Sequence, residues 1–356
     1  MNEFTTKQSL QLKTNAFGFE NGEKINVKVI LLDDDKKELK THNDETTIEN
    51  NLALYSFKIE DVAKDLKIDI EEISYVKGWL DSDDDDVMDN NEMVILKVKF
   101  GVENIPYVMR NKLKWEKSAE LMELWFSLDE KIMSIEEKRP DKGFTHDKYN
   151  KKYLNTTMFT MDWLLDFERV KEGFKNIQTI LDSDAAKKQL KIIFHKNKDL
   201  LPDITDLPLL HTNWQFQKEV IGYEVGIVDD LYGSLGNFAL YAAVSKYIKK
   251  ETGINSYQII VTEIVLYMKD TYEFIDNQYL GHWTVKGMGI HPIHGSMNLI
   301  GRELAVPAFF SQIGWAESFG NEDFRKYREN TKKGGDLLLF SDAKKIPVNI
   351  EFDIKV

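Results

Sequence analysis

Alternating hydrophobic and polar residues dominate the first hundred positions and predict β-strands. The segment "KINVKVILL" places Ile25, Val27 and Val29 on one side of an extended chain, with polar residues between them. The segments "LALYSFKI" and "MVILKVKF" repeat this pattern, and clusters of Asn, Asp and Gly separate them. The segment "DVAKDLKIDIEEI" is compatible with a short helix. Residues 24–100 therefore predict a small antiparallel sandwich or barrel.

From residue 111 onward the spacing of hydrophobic residues changes to that of helices. Residues 111–137 carry hydrophobic side chains three or four positions apart, with charges between them: Leu121, Trp125, Leu128 and Ile132. Pro140 and Gly143 are expected to end this segment. "MDWLLDFERVKEGFKNIQTIL" and "SDAAKKQLKIIFHK" predict two more helices, the second with Ser183 or Asp184 as N-cap. The middle of the chain, residues 111–198, is thus predicted to be helical.

Strand patterns return after the connector "LLPDITDLPLL". "YQIIVTEIVLYM" predicts a long strand, and "DLLLFSD" and "PVNIEFDIKV" predict shorter ones. "SLGNFALYAAVSKYIKK" fits either a helix or a strand, and we favour a strand paired with "YQIIVTEIVLY". The predicted class is α+β, with an antiparallel β domain at 1–105, a helical segment at 106–200 and a mixed α/β domain with an antiparallel sheet at 201–356.

Composition narrows the classes of function. The chain has 356 residues, a net charge of −13 and no cysteine. The acidic balance disfavours nucleic acid as a partner, and the lack of cysteine excludes disulfides and thiolate chemistry. No run of 18 apolar residues predicts a transmembrane anchor, and the N-terminus lacks the apolar core of a signal peptide. We therefore expect synthesis in the bacterial cytoplasm and, for any exported form, a dedicated secretion machine.

An acidic run between two predicted strands, "GWLDSDDDDVMDNNEMVILKV", raises the question of a calcium site. Its spacing matches the oxygen ligands of an EF-hand-type loop at six positions: Asp81, Asp83, Asp85, Val87 (backbone), Asp89 and Glu92. Asp86 stands where such loops usually have glycine. Two interpretations remain open, a structural Ca²⁺ site and a solvated hairpin loop without metal.

Residues 269–295 hold a second concentration of polar chemistry. The candidate catalytic residues there are Asp270, Tyr272, Glu273, His282, His291 and His294. Imidazoles with a carboxylate suit either zinc binding or general acid–base catalysis. The alternative is structural, because histidines beside glycines often cap loops or bond backbone carbonyls.

The most basic stretch, residues 324–336, has two interpretations as well. Its five cations are Arg325, Lys326, Arg328, Lys332 and Lys333. They suit contacts with the phosphate of a lipid headgroup or nucleic acid, but such runs are more often a solvated helix face, which we favour.

The C-terminal third resembles a known family. "LGNFALYAA", "VTEIVLYMKDTYEF", "QYLGHW" and "FRKYRENTKKGGDLLLFSD" are similar, in that order, to an uncharacterised bacterial family often encoded beside type VI secretion genes. The resemblance covers about residues 220–355, and the β region with "GWLDSDDDD" looks like β-domains of secreted bacterial toxins. Both resemblances imply an effector, or a protein that loads one.

A second resemblance concerns "DTYEF" and the histidine that follows it. Asp270, Tyr272, Glu273 and His282 loosely resemble the motif of colicin M-type toxins, which cleave the lipid II headgroup, although Trp283 stands where that motif has arginine. This resemblance implies a hydrolase, specifically a lipid II phosphodiesterase.

Three functions follow as hypotheses. The first is an antibacterial effector of a contractile, type VI-like secretion system, acting on the target cell envelope and binding a secretion-machine component or a cognate immunity protein. The second is a non-enzymatic adaptor of the same machine that docks a partner through the helices at 111–198. Its anchors could be Trp115, Trp125 and Trp163, although their spacing favours the core. The third is a pore-forming toxin that inserts "NFALYAAVSKYIKK" and "YQIIVTEIVLYM" as a membrane hairpin.

Overall fold

The computed structural model describes most of the chain. The described residues are 3–16, 18–82, 88, 92–138, 150–197, 200–222, 227–284, 287–289 and 317–355. They divide into two compact units. The first contains the described residues up to 113 together with those in 280–289 and 317–319, and the second contains those in 114–279 and 320–355.

The first unit is built on a seven-stranded sheet, as the alternating pattern predicts. Its strands are β1 (Glu3–Phe4), β2 (Ser9–Asn15), β3 (Lys24–Leu32), β4 (Glu38–Glu49), β5 (Leu52–Lys58), β6 (Tyr75–Leu80) and β7 (Met93–Val98). The spatial order is β1-β7-β6-β3-β4-β5-β2. Every neighbouring pair is antiparallel except β1 with β7.

Two helices accompany this sheet. The predicted short helix is α1 (Ile59–Leu66), which buries Ile59, Val62 and Ala63 against the strands. A second, α2 (Ile105–Val108), continues into one π-helical turn.

The edge strand β2 packs across β6, where Gly78 leaves room for Leu12. A Cβ at Gly78 would lie 2.4 Å from Leu12 Cδ2, so a larger residue here would require the Leu12 side chain to move.

The second unit contains eight of the helices in the described residues. They are α3 (Glu116–Ser127), α4 (Ile135–Lys138), α5 (Met161–Leu164), α6 (Glu168–Thr179), α7 (Asp184–Lys196), α8 (Leu207–Trp214), α9 (Asp230–Leu235) and α10 (Asn321–Thr331). Ser183 is the N-cap of α7, and its side chain accepts a bond from the amide of Ala186. The prediction that helical spacing continues to Ile132 is wrong, because α3 ends at Ser127 and Ile132 is 69% exposed. Pro140 and Gly143 lie outside the described residues.

The remaining strands follow in chain order. They are β8 (Leu154–Phe159), β9 (Gln215–Ile221), β10 (Phe238–Gly253), β11 (Ser256–Tyr272), β12 (Tyr279–Thr284), β13 (Gly287–Gly289), β14 (Glu317–Gly320), β15 (Leu337–Ser341) and β16 (Lys344–Lys355). Strands β12 to β14 form a three-stranded sheet in the order β13-β12-β14. The strand interpretation of "FALYAAVSKYIKK" is confirmed by β10, and the mixed helix and strand content confirms the α+β class. Strand β8 lies inside the segment predicted to be helical.

The six-stranded sheet of the second unit is organised around β11. Its order is β8-β15-β11-β10-β9, and β16 also pairs with β11. Strand β10 runs antiparallel along one edge of β11. Strands β16 and β15 lie along the other edge, β16 beside residues 256–266 and β15 beside residues 269–272. Helices α7 and α8 share one hydrophobic cluster with this sheet, and α3, α5 and α9 share another.

Candidate functional site

The second unit contains a cleft of about 700 Å³ between helices and the sheet. Its walls come from α4, α7, α8 and the first residues of β9, together with one residue each of β10 and β11. The polar side chains that line it are Lys138, Gln189, Lys196, His211, Thr212, Asn213, Gln215, Gln217, Lys218, Tyr241 and Lys269. Elements far apart in the chain therefore meet around one concave surface, which is the usual form of a small-molecule site.

The cleft is positively charged although the chain as a whole is acidic. The described residues that line it include four lysines and neither aspartate nor glutamate. The Lys269 ammonium donates to the backbone carbonyl of Lys138 over 3.0 Å, while the Lys138 side chain pairs with Glu273. Lys196 and Lys218 are exposed, and neither has an acidic partner in the described part of the chain. The overall charge of −13 makes this local excess of cations a distinctive feature.

His211 brings a neutral imidazole to the cleft. Its Nδ1 lies 2.9 Å from the Tyr267 hydroxyl, and its ring packs edge-on against Tyr241. Burial, together with the positive charge of Lys269, lowers the pKa of His211 to about 3. The ring is therefore uncharged at neutral pH.

The Tyr267 hydroxyl fixes which ring nitrogen carries the proton. Tyr267 is fully buried, and burial raises its pKa well above the ordinary value, so the hydroxyl stays protonated. Its bond to His211 is the one that the structure shows for this hydroxyl within the described residues. The hydroxyl must donate to Nδ1, since a buried O–H without an acceptor is costly. Nε2 of His211 then carries the ring proton and acts as a hydrogen-bond donor.

Asp270 lines a second pocket, of about 220 Å³, which shares Tyr241 and Lys269 with the cleft. Burial raises the pKa of Asp270 to about 8. A bond from the Thr271 amide and the charge of Lys269 act in the opposite direction, and Glu273 adds to the rise. Asp270 is thus mostly protonated at pH 7, as expected of a carboxyl group that serves as a general acid.

The other two candidates, Tyr272 at the end of β11 and Glu273 directly after it, are held by structural contacts. Tyr272 lies two residues beyond Asp270, on the same face of β11, and its ring packs edge-on against Phe274 at 5.2 Å. Burial raises its pKa. Burial also raises the pKa of Glu273, which is paired with Lys138. The structure therefore brings Asp270, Tyr272 and Glu273 to one end of β11.

Of the three candidate histidines, His282 alone lies within the described residues. His282 lies on β12 opposite Gly289, in residues that belong to the first unit. His291 and His294 lie outside the described residues.

Only the ends of the acidic run belong to the described residues. Asp81 and Glu92 are described, whereas Asp83, Asp85, Val87 and Asp89 are not. The flanking strands β6 and β7 form the antiparallel hairpin that the sequence predicts. Asp81 is 1% exposed. Both carboxylate oxygens of Glu92 already accept bonds, one from Trp79 Nε1 at 3.0 Å and the other from the amide and hydroxyl of Ser82. Within the described residues no three His, Asp or Glu side chains are grouped as metal ligands.

The basic run at 324–336 is neutralised within the second unit. Arg325 donates to the carbonyls of Phe274 and Asp276, and Lys326 pairs with Glu322. Arg328 is buried, lies over the Trp125 ring and pairs with the fully buried Asp336 at 2.6 Å. The last two cations have acidic partners as well, Lys332 with Glu130 and Lys333 with Asp129. Arg328 therefore departs from the predicted solvated face, whereas the ion pairs of Lys326, Lys332 and Lys333 lie at the surface.

Sequence reasoning missed the cleft because its residues form no contiguous motif. His211 stands in the apolar stretch "LPLLHTNW", where a single histidine draws no attention. A polar aromatic residue within an otherwise buried helix was the one available signal, since buried polar groups need partners.

The comparisons with known proteins identify a family but not an activity. A search of curated proteins and a search of solved structures each found no match. A sequence model described as a family of unknown function, DUF6402, matches residues 100–356. This range includes every residue of the cleft and of the Asp270 pocket. The chain therefore belongs to the family of unknown function DUF6402.

Proposed function

We propose that the chain is an antibacterial effector of a contractile, type VI-like secretion system and that its second unit acts hydrolytically on the envelope of a target bacterium. The motifs of the C-terminal third support the link to secretion. The observation that carries the hydrolytic part is Asp270, a carboxyl group kept protonated near neutral pH in a pocket that it shares with Lys269. The chain would be made in the bacterial cytoplasm and exported without a signal peptide, and a secretion-machine component or an immunity protein would bind it.

The pocket suits hydrolysis of a phosphodiester such as that of a lipid-linked headgroup. In such a hydrolysis water forms the new bond to phosphorus and loses a proton to solvent, while a protonated carboxyl donates its proton to the oxygen of the leaving group as that oxygen's bond to phosphorus breaks. An ammonium beside it stabilises the negative charge that develops on the phosphate. Asp270 lines the pocket and would give the proton, while Lys269, whose ammonium is bonded to the Lys138 carbonyl on the other side of β11, would act on the phosphate through its charge alone.

Toxicity in different compartments tests the proposal. The chain is expressed in a susceptible bacterium, either as written or fused to an export signal. We expect growth to stop only with export, and Asp270→Asn to abolish the effect because an amide has no acidic proton to give. Asp353→Asn, an exposed residue of β16, is the matched control and should remain toxic. Full toxicity of Asp270→Asn would remove this residue from the mechanism, and growth in both compartments would contradict the effector function.

The competing functions have less support in the second unit. Trp125 is fully buried and Trp115 is 9% exposed, so these two side chains belong to the core and not to a docking surface. Trp163 packs against Phe159 and Phe167. The hairpin of the pore-forming hypothesis consists of β10 and β11, each of which has paired neighbours on both edges. Among the described residues, the helices are all too short or too polar to cross a bilayer.

For the acidic run we propose a structural calcium ion bound by residues 81–92. The crowding of carboxylates on a hairpin supports this proposal, because a divalent cation would relieve their mutual repulsion. We expect millimolar Ca²⁺ to raise the melting temperature and the same concentration of Mg²⁺ to leave it unchanged. The double substitution Asp83→Asn/Asp85→Asn should remove the rise. An unchanged melting temperature in Ca²⁺ would identify the run as a solvated loop.

A further inference from the structure

The large cleft of the second unit presents hydrogen-bond donors and positive charge from several directions. Lys196 comes from the last turn of α7, Lys218 from β9 and Lys269 from β11. Nε2–H of His211 adds a donor from α8, because Tyr267 occupies Nδ1. The described residues that line the cleft include no carboxylate. A ligand that satisfies these groups must offer several acceptor oxygens and negative charge.

We propose that this cleft is a binding site for a phosphate-bearing ligand. Lysine binds phosphate as a compact point charge, whereas planar carboxylates are most often held by the fork of an arginine, and no arginine is among the described residues that line the cleft. The volume of about 700 Å³ falls within the range of small-molecule sites. The phosphate belongs either to a free small molecule or to a lipid headgroup.

The cleft has features of a prepared site. Lys269 is held at its base by the bond to the Lys138 carbonyl, so it is positioned without a ligand. The His211 ring is held by Tyr267 and by edge-on contact with Tyr241. Groups that are already ordered lose little conformational entropy on binding. Lys196 and Lys218 are exposed on the rim and would close on the ligand.

The test is a calorimetric titration of the full chain with inorganic pyrophosphate, so that binding is measured independently of toxicity. We expect the double variant Lys196→Met/Lys218→Met to weaken the affinity about tenfold or more, because it removes two charge-assisted bonds from exposed positions. The double variant Lys188→Met/Lys191→Met is the matched control. It removes the same charge from exposed residues of α7 that do not line the cleft, and its affinity should stay within about twofold of the wild type.

Two further arms identify the source of the phosphate. Sedimentation with phosphatidylcholine vesicles that contain phosphatidic acid, compared with phosphatidylcholine alone, reports a headgroup ligand. Binding to pyrophosphate without binding to these vesicles indicates a free small molecule. Absence of binding to both probes, equal weakening by the two double variants, or tighter binding of citrate than of pyrophosphate would each overturn the proposal. Since a non-toxic chain can still bind pyrophosphate, failure of this site is distinguishable from failure of the effector function.

Discussion

His211 and Asp270 lie near opposite faces of β11 and respond to burial in opposite ways. His211 contacts Tyr267, which shares a face of the strand with Lys269, whereas Asp270 points to the other face. Burial lowers the pKa of the histidine to about 3 and raises that of the aspartate to about 8. In both cases it favours the uncharged form, because a charge loses its hydration in the protein interior.

Burial therefore gives the two residues opposite effects on how the stability of the fold depends on pH. Between pH 3 and 6.5 the unfolded chain protonates His211 and the folded chain does not, so this residue destabilises the fold as the pH falls. Between pH 3.8 and 8 the folded chain keeps the proton of Asp270 and the unfolded chain loses it, so this residue destabilises the fold as the pH rises. The two contributions oppose each other in acid, and Asp270 acts alone above pH 6.5.

Replacing His211 should cause the largest change in the pH dependence of the free energy of unfolding. His211→Asn keeps an oxygen that accepts the Tyr267 hydroxyl bond but does not titrate. Relative to the wild type, its free energy of unfolding should rise by about 2 kcal/mol as the pH falls from 6.5 to about 4.5, against a ceiling of about 1.4 kcal/mol per pH unit. Urea unfolding of both proteins at each pH measures this difference. A difference that does not change with pH would show that His211 titrates normally.

Replacing Asp270 should act at the other end of the pH range. Asp270→Asn removes the carboxyl whose retained proton destabilises the folded wild type as the pH rises. Its free energy of unfolding, relative to the wild type, should increase by about 1.6 kcal/mol between pH 6.5 and 8. The same urea series measures it, and the exposed Asp353→Asn should give a flat difference. A flat difference for Asp270→Asn as well would place the pKa of Asp270 in its usual range.

Replacing Lys269 should change both residues in the same direction, with the smallest effect. The charge of Lys269 lowers the pKa of His211 and that of Asp270. Lys269→Met should therefore raise the pKa of both residues. Titration of the His211 ring and the Asp270 carboxyl by NMR measures these shifts, with Lys191→Met as a control of equal charge change. Shifts of opposite sign would mean that Lys269 acts by packing and not by charge.

Strands with a clear alternation of hydrophobic and polar residues could be predicted from the sequence alone. Alternation located β3, β5, β7 and β11, and the Ser183 cap located the start of α7. Strand β8 was missed, because "LNTTMF" is short and mixed and it becomes a strand by parallel pairing with β15, much later in the chain. Pairing between strands that are far apart in the chain cannot be recognised from the residues of a short segment.

For the candidate site as well, only residues that are adjacent in sequence could be recognised from local pattern. The residues of "DTYEF" are adjacent in sequence and meet at one end of β11, so they were visible as a group. The cleft depends on Lys138, Lys196, His211, Lys218 and Lys269, each on a different element. None of these four lysines and one histidine stands out alone in a chain that is 30% charged. Only the sheet topology shows that they share a surface.

The position of β11 between early and late strands also sets an order of events during biosynthesis. Along the edge opposite β10 its partners are β16 and β15, from residues 337–355, and β8 can join the sheet only through β15. A ribosome-bound chain that has just released β11 still lacks these partners and exposes an open, hydrophobic strand edge, which invites pairing with other chains. The second unit must therefore complete its sheet after most of the chain has been translated, and a nascent chain is the form most in need of a chaperone.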